Sequence, residues 1–161
     1  SREPSDCLPH TYPRNCVCYA GTHDNATIMA WKDEAAEDDI AMAHLYLGLN
    51  EAEGFNWGIL RGGMSSVADL FVAQMQDYLA LGAEARMNTP GILGGNWQWR
   101  MKQGQIDQAL TEKVAEYTQI YGRAPQVAKK AEKSEKTEAG KEDTIENLDA
   151  LKKNLRNYKE N

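Results

Sequence analysis

The sequence predicts an α/β protein, on the basis of two kinds of apolar pattern. A bulky, partly β-branched run at residues 16–20 is followed at once by the small polar loop GTHDN, which is typical of a strand that ends in a tight turn. From residue 33 to residue 47, apolar side chains recur at helical spacing instead. In α/β proteins, the loops after the carboxyl ends of parallel strands hold ligands and catalytic groups. The loop GTHDN is therefore the first candidate for a functional site.

The remaining elements can be assigned in chain order. Residues 1–15 are rich in Pro and polar side chains and predict a loop that leads into the first strand. The helix at 33–47 carries acidic residues early, which suits the helix dipole, and Gly48 is its expected end. The apolar run at residues 71–75 fits either a strand or a buried helical segment, because periodicity does not separate the two.

A long irregular stretch and a second helix follow. Residues 82–104 contain ARMNTPG and GGNWQWR, and their Trp and Met content argues for a functional loop rather than a disordered one. Residues 106–121 predict a helix with one apolar face. That face consists of Ile106, Leu110, Val114, Tyr117 and Tyr121.

The end of the chain differs in composition from the rest. Residues 124–141 are rich in Lys, Glu and Ala and contain almost no bulky apolar residue, so a solvated helix or a flexible linker is expected. Residues 142–161 predict an amphipathic helix that docks on the preceding domain or pairs with another helix. Its narrow apolar stripe consists of Leu148, Leu151, Leu155 and Tyr158. The predicted organisation is a domain at residues 1–123 followed by a charged helical tail.

Composition argues against several classes of function. The chain has 161 residues, a net charge of -6 and 42% hydrophobic residues, which is enough for one buried core. The acidic balance argues against nucleic acid as the main partner and favours a neutral polar ligand. No apolar run is long enough to cross a membrane, and no signal segment opens the chain. The three cysteines predict buried, reduced thiols in a cytoplasmic protein rather than a metal site. No cofactor is expected.

The loop GTHDN allows two interpretations. In the first, His23 and Asp24 place an imidazole and a carboxylate side by side in a site at the end of a strand. In the second, Asp24 or Asn25 caps the helix that begins at residues 26–28, and His23 is a solvated loop residue. The spacing alone favours the second interpretation.

Three stretches, taken together, resemble one enzyme family. LPHTYPRNCVCYAGTHDN, SSVADLFVAQMQDYLALGAEARMNTPG and GNWQWR, in this order and spacing, strongly resemble the 4-α-glucanotransferases, also called amylomaltases or disproportionating enzymes. The resemblance covers roughly residues 7–123. It implies a (β/α)₈ (TIM) barrel of the α-amylase-like glycosidase type, with α-1,4-glucans as donor and acceptor. It also implies a retaining double displacement, which needs a carboxylate nucleophile and a second carboxyl as acid and then base.

The resemblance also implies roles for particular residues. Asp24, after the seventh barrel strand, would stabilise the oxocarbenium-like transition state, and His23 would contact a hydroxyl of the same glucose. The MNTPG motif would lie near the cleft, so Asn88 is either a sugar ligand or a turn residue before Pro90. Trp97 and Trp99 would offer stacking faces to glucose rings, although their spacing is also that of one strand face, where core packing is more frequent. We expect a structural ion pair between Glu84 and Arg86, with no role in the chemistry.

Two departures from the family pattern bear on function. Ala26 stands where an acidic or polar residue is usual, and MAW replaces the more common Gly-Trp pair. No part of the chain matches the motifs of the nucleophile and the acid/base residue. The sequence also has no initiator Met and opens within a family motif. We therefore expect a C-terminal fragment of the barrel that begins before its seventh strand and is inactive when isolated.

Other functions and partners stay open at this point. A partial barrel could be a non-catalytic glucan-binding or scaffold protein, which would bind sugar without turnover. The stripe at residues 148–158 could instead recruit a partner, as in a helical interaction module. The exposed strand edges of a partial barrel need to be covered, either by self-association or by the remainder of the barrel.

Overall fold

The structure, a computed structural model, describes residues 7–125. The predicted helix at residues 142–161, and the predicted linker beyond residue 125, lie outside the described residues. The elements in chain order are a 3-10 turn at Pro9–Thr11, β1 (Val17–Tyr19), α1 (Ile28–Glu34), α2 (Glu37–Leu47), α3 (Phe55–Met64), β2 (Leu70–Val72), α4 (Met75–Tyr78), a 3-10 turn at Ala83–Ala85 and α5 (Gln108–Ile120). No helix within residues 7–125 is long and apolar enough to cross a membrane.

β1 and β2 form a two-stranded parallel sheet, which agrees with the predicted α/β class. Cys18 is paired with Phe71, and both lie on the sheet face that packs against the helices. The ambiguous run at 71–75 therefore begins inside a strand and continues into helix α4. Because side chains alternate along a strand, the neighbouring positions lie on the opposite face. These are Val17, Tyr19, Leu70 and Val72, and all four are exposed.

The helix predicted at residues 33–47 is confirmed as α2 over Glu37–Leu47, but its predicted start is wrong, because residues 33 and 34 belong to α1. α1 ends at Glu34, and Ala35 and Ala36 are extended, with ψ angles of 155° and 147°. Three acidic residues then occupy the first turn of α2, where they suit the positive end of a new helix dipole. Gly48 ends α2 in the left-handed conformation, as predicted.

Helix α3 was not predicted, because its three glycines lower the helical propensity of the segment. Tertiary packing explains all three, because a Cβ at any of them would lie within 2.6 Å of a neighbouring side chain. A Cβ at Gly58 would lie 2.4 Å from the Leu49 side chain, and one at Gly63 would lie 2.1 Å from the Phe71 ring. The helix can therefore approach its neighbours closely only with glycine at these positions. It also contributes Leu60, which is 0% exposed, to the core.

Helix α5 confirms the second predicted helix. Asp107 caps it by accepting a hydrogen bond from the Leu110 main-chain N at 2.8 Å. Leu110, Val114 and Tyr117 pack against the core, whereas Ile106 precedes the helix and is 45% exposed.

Among the cysteines, Cys18 is buried, Cys16 is half-buried and Cys7 is exposed. The prediction of buried thiols therefore holds for Cys18 alone.

Asp77 ties the segment after β2 to the start of α1. Its side chain is buried, and Oδ1 accepts a hydrogen bond from the Ile28 main-chain N at 2.8 Å. The Asn56 side chain donates to the main-chain O of Asp77 at 2.8 Å. Burial raises the pKa of Asp77, although its hydrogen bonds from main-chain N–H groups oppose the shift. This carboxyl therefore fixes the helix that directly follows the loop GTHDN.

Replacing Asp77 by alanine should lower the free energy of unfolding by about 1–3 kcal/mol, because the buried N–H of Ile28 loses its acceptor. Asp77→Asn is the matched control, since its amide oxygen can still accept that bond. Urea unfolding of the chain at pH 7 measures both changes. Equal stability of Asp77→Ala and the wild type would contradict the anchoring role.

The stability of the wild type relative to Asp77→Asn should also depend on pH. Because the pKa of Asp77 is raised on folding, the folded state binds the proton more tightly than the unfolded state. The wild type therefore loses stability as the pH rises from the unfolded pKa through the folded pKa, and the asparagine variant does not. Measured from pH 4 to pH 7, the stability difference should shift in favour of Asp77→Asn. A constant difference would contradict this expectation.

Candidate functional site

The loop GTHDN begins where β1 leaves the sheet. The Ala20 main-chain N donates to the main-chain O of Val72 at 3.0 Å, and the chain then turns. Asn25 closes this turn, because its Oδ1 accepts hydrogen bonds from the main-chain N and the hydroxyl of Thr22, at 2.8 and 2.9 Å. The loop is thus held by its own polar side chains.

Neither Asp24 nor Asn25 caps α1, so the capping interpretation of this loop is wrong. The N-cap is Thr27, which is buried and whose Oγ1 accepts a hydrogen bond from the Ala30 main-chain N at 3.2 Å. The Asp77 carboxyl accepts a hydrogen bond from the first main-chain N–H of the helix, that of Ile28. With these two acceptors in place, the Asp24 carboxylate is not needed for the helix.

The Asp24 carboxylate instead contacts two other side chains of the site. Its side chain is 47% exposed, and that of His23 is 55% exposed. His23 Nε2 lies 3.3 Å from Asp24 Oδ1, and Asn88 Nδ2 donates a hydrogen bond to the same oxygen at 2.6 Å. A hydrogen bond to an ionised acceptor is stronger than one between neutral groups. Asn88 therefore fixes the orientation of the carboxylate in a place that a ligand can reach.

Asn88 belongs to a segment that runs alongside the loop GTHDN. Its main-chain N donates to the main-chain O of His23 at 3.0 Å. The Arg86 guanidinium donates to the main-chain O of Asp24 at 2.7 Å and to the main-chain O of Asn88 at 3.0 Å. Arg86 and Asn88, which lie 62 and 64 positions from Asp24 in the sequence, are thus joined to the loop by hydrogen bonds. Asn88 thus contacts both His23 and Asp24, and its role as a sugar ligand stays a prediction.

The expected ion pair between Glu84 and Arg86 is wrong. Glu84 Oε1 accepts a hydrogen bond from the Gly82 main-chain N at 3.0 Å, while Arg86 bonds the two carbonyl oxygens described above. Sequence reasoning missed the contribution of Arg86 to the site. Its position within ARMNTPG, two residues before Asn88, does not by itself indicate which groups the guanidinium binds.

Trp97 lies against His23. The centroids of the two rings are 4.9 Å apart, with the planes tilted by 42°. The Trp97 main-chain N donates to the main-chain O of Met87 at 2.7 Å, and its φ of 64° lies in the left-handed region. Trp97 is 53% exposed, and the segment of Trp97 and Trp99 is not a strand, so the alternative of core packing on a strand face is wrong for Trp97. Its exposed ring is available for stacking against a ligand.

The four side chains of His23, Asp24, Asn88 and Trp97 form one cluster at the protein surface, which we call the HDNW cluster; Asn88 is half-buried and the other three are exposed. It combines a carboxylate, an imidazole, an amide and an indole face. Such groups bind a neutral ligand that carries hydroxyl groups and an apolar face. Within residues 7–125, no three His, Cys, Asp or Glu side chains are placed to hold a metal ion.

Sequence comparisons connect the chain to known enzymes. A family model described as 4-alpha-glucanotransferase matches residues 1–107. The 4-alpha-glucanotransferase of Clostridium butyricum is 46% identical over 117 residues, covering 72% of this chain and 24% of that protein. That of Thermus thermophilus is 44% identical over 106 residues, which cover 62% of this chain and 21% of that protein. The chloroplastic/amyloplastic 4-alpha-glucanotransferase of Arabidopsis thaliana is 38% identical over 119 residues, which cover 72% of this chain and 21% of that protein. Because this relative is organellar by name, a cytoplasmic location stays a prediction.

A solved structure is similar as well. It is described as amylomaltase from Streptococcus agalactiae in complex with acarbose. The TM-score is 0.72 at 36% sequence identity, and the match covers 74% of this chain and 24% of that one. The chain thus spans about a quarter of the length of the relatives that it matches.

Proposed function

Since this chain belongs to the 4-alpha-glucanotransferase family, we propose that it forms part of the catalytic barrel of an enzyme that transfers α-1,4-glucan segments between maltooligosaccharides. The names of its relatives support the reaction, and the acarbose complex of the Streptococcus agalactiae amylomaltase supports a carbohydrate ligand. The observation that carries the proposal is the HDNW cluster. It lies after a parallel strand and combines groups suited to a sugar.

The uncovered face of the sheet supports a place within a larger barrel. Parallel sheets are normally buried on both faces. Here the face that carries Val17, Tyr19, Leu70 and Val72 is exposed. Further strands of a barrel would bury these side chains, as would a second copy of the chain. We favour the remainder of the barrel, because the chain matches only about a quarter of its relatives.

Asp24 is the proposed transition-state stabiliser. In a retaining transfer, positive charge develops on the sugar ring as the glycosidic bond breaks. A carboxylate held in place before the reaction stabilises that charge more than it stabilises the neutral substrate. The 2.6 Å hydrogen bond from Asn88 supports this role, because it fixes the carboxylate before substrate binds.

The other members of the HDNW cluster are the proposed substrate ligands. The His23 imidazole can hydrogen-bond a hydroxyl of the glucose at the cleavage point, and the Asn88 amide can both donate and accept. The exposed Trp97 ring would stack on the apolar face of a glucose unit. Its contact with His23 would place these two interactions side by side.

The isolated chain should release no glucose from maltotriose and make no longer oligosaccharides, because the nucleophile and the acid/base residue are expected elsewhere in the protein. The whole protein should do both. Chromatography of maltotriose incubations, with the chain and the whole protein at equal concentration, measures this difference. Disproportionation by the pure chain would contradict the missing-carboxylate argument. Absence of disproportionation by the whole protein would contradict the proposed reaction, and sugar binding without turnover would favour the non-catalytic alternative.

A further inference from the structure

Arg86 connects the two main-chain segments on which the HDNW cluster is built. The residue is half-buried. Its Nη2 donates to the main-chain O of Asp24 at 2.7 Å, and its Nε donates to the main-chain O of Asn88 at 3.0 Å. Both acceptors are carbonyl oxygens, so the guanidinium holds the backbone from which the two polar side chains extend.

Arginine suits this task better than any other residue. Its guanidinium is planar and always charged, and it presents several N–H donors in a fixed fork. Two acceptors on different segments can therefore be held at a set separation. The backbone of Arg86 is itself held, because its main-chain N donates to the main-chain O of Ala83 at 3.1 Å. The fork is thus attached to an ordered turn.

We propose that Arg86 is a positioning residue for the glucan transfer. It holds the main chain at Asp24 and Asn88 in register, so that the Asn88 amide can fix the Asp24 carboxylate. The carboxylate lies on an exposed loop, and the 2.6 Å bond from Asn88 depends on the relative placement of two segments. Loss of the Arg86 guanidinium would leave the Asp24 carboxylate and the Asn88 amide present but less well oriented. This inference rests on the proposed function, since it assigns Arg86 to the same site.

The test measures maltotriose disproportionation by the whole protein carrying Arg86→Met or Arg86→Lys. We expect kcat per folded molecule to fall about tenfold to a hundredfold in Arg86→Met, the range expected when a catalytic group is slightly misplaced. KM should change much less, because the sugar ligands remain. Arg86→Lys keeps the charge but replaces the fork by a single ammonium group, so kcat should still fall several-fold. Wild-type kcat in Arg86→Lys would overturn the proposal, even if Arg86→Met fails to fold.

A double-mutant cycle tests whether Arg86 acts through Asp24. If it does, Arg86→Met should lower kcat very little once Asp24 is already asparagine. The same fold-loss in both backgrounds would overturn the proposal, because Arg86 would then act independently of the carboxylate.

Arg123 provides a matched control. Its guanidinium also donates mainly to main-chain carbonyls, at 2.7 Å to Met64 O and at 3.1 Å to Ser66 O and Ala68 O, with the Ser66 hydroxyl at 3.5 Å. These lie just before β2, whereas the HDNW cluster follows β1. Arg123→Met should therefore lower the Tm without lowering kcat per folded molecule. An equal kcat loss in Arg123→Met and Arg86→Met would show a general structural effect and overturn the positioning role.

The cycle also separates failure of this inference from failure of the proposed function. Normal turnover in Asp24→Asn alone would contradict the catalytic assignment of the cluster. A large loss in Asp24→Asn together with normal turnover in Arg86→Met would overturn the role of Arg86 and leave the proposed function intact.

Discussion

Replacing Asp24 by asparagine in the whole protein should lower kcat for maltotriose disproportionation by a factor of about a hundred to a thousand, or about 3–4 kcal/mol in the activation free energy. The substitution keeps the size of the side chain and an oxygen that can accept the Asn88 hydrogen bond. It removes the negative charge that we propose faces the developing oxocarbenium ion. Steady-state kinetics measures the loss.

The Tm should change by only a few degrees in Asp24→Asn. Thr27, not Asp24, caps α1, and the Asp24 side chain is 47% exposed. Asp107→Asn is the matched control, because Asp107 is a true helix cap and asparagine caps nearly as well. It should leave both kcat and Tm almost unchanged. Near-normal transfer by Asp24→Asn would refute the catalytic assignment.

Replacing Leu60 by alanine should lower the free energy of unfolding by about 2–5 kcal/mol. Leu60 is 0% exposed at the centre of α3, and its core cluster includes Trp57 and Phe55. The lost transfer free energy adds to the cost of the cavity that remains. This is a large share of the total stability of a small domain, which is about 5–15 kcal/mol. Urea unfolding followed by circular dichroism measures the change.

Leu45→Ala is the matched control for Leu60→Ala. Leu45 also lies in a helix, α2, but it is 80% exposed. Its truncation should change the free energy of unfolding by no more than about 0.5 kcal/mol. A loss in Leu60→Ala as small as that expected for Leu45→Ala would contradict the assigned core. A loss in Leu45→Ala as large as that expected for Leu60→Ala would contradict the exposure of Leu45.

Much of the fold could be predicted from the sequence, because the signals are local. The strand that ends before GTHDN, the end of α2 at Gly48 and helix α5 follow from side chains a few positions apart. Helix α3 could not be predicted in the same way. Its glycines lower the local helical propensity. They are needed because the Leu49 and Phe71 side chains lie so close to the helix backbone that a Cβ would clash with them.

The sequence by itself determined that His23 and Asp24 are neighbours at the end of a strand, and the family resemblance added Asn88 and Trp97. The tertiary structure decided what each of them contacts. It assigned the cap of α1 to Thr27, and it brought Asn88 to Asp24 across 64 positions of the chain. Arg86 could not be found from the sequence because its partners are carbonyl oxygens, which every residue carries. Only the folded backbone determines which carbonyls the guanidinium can reach.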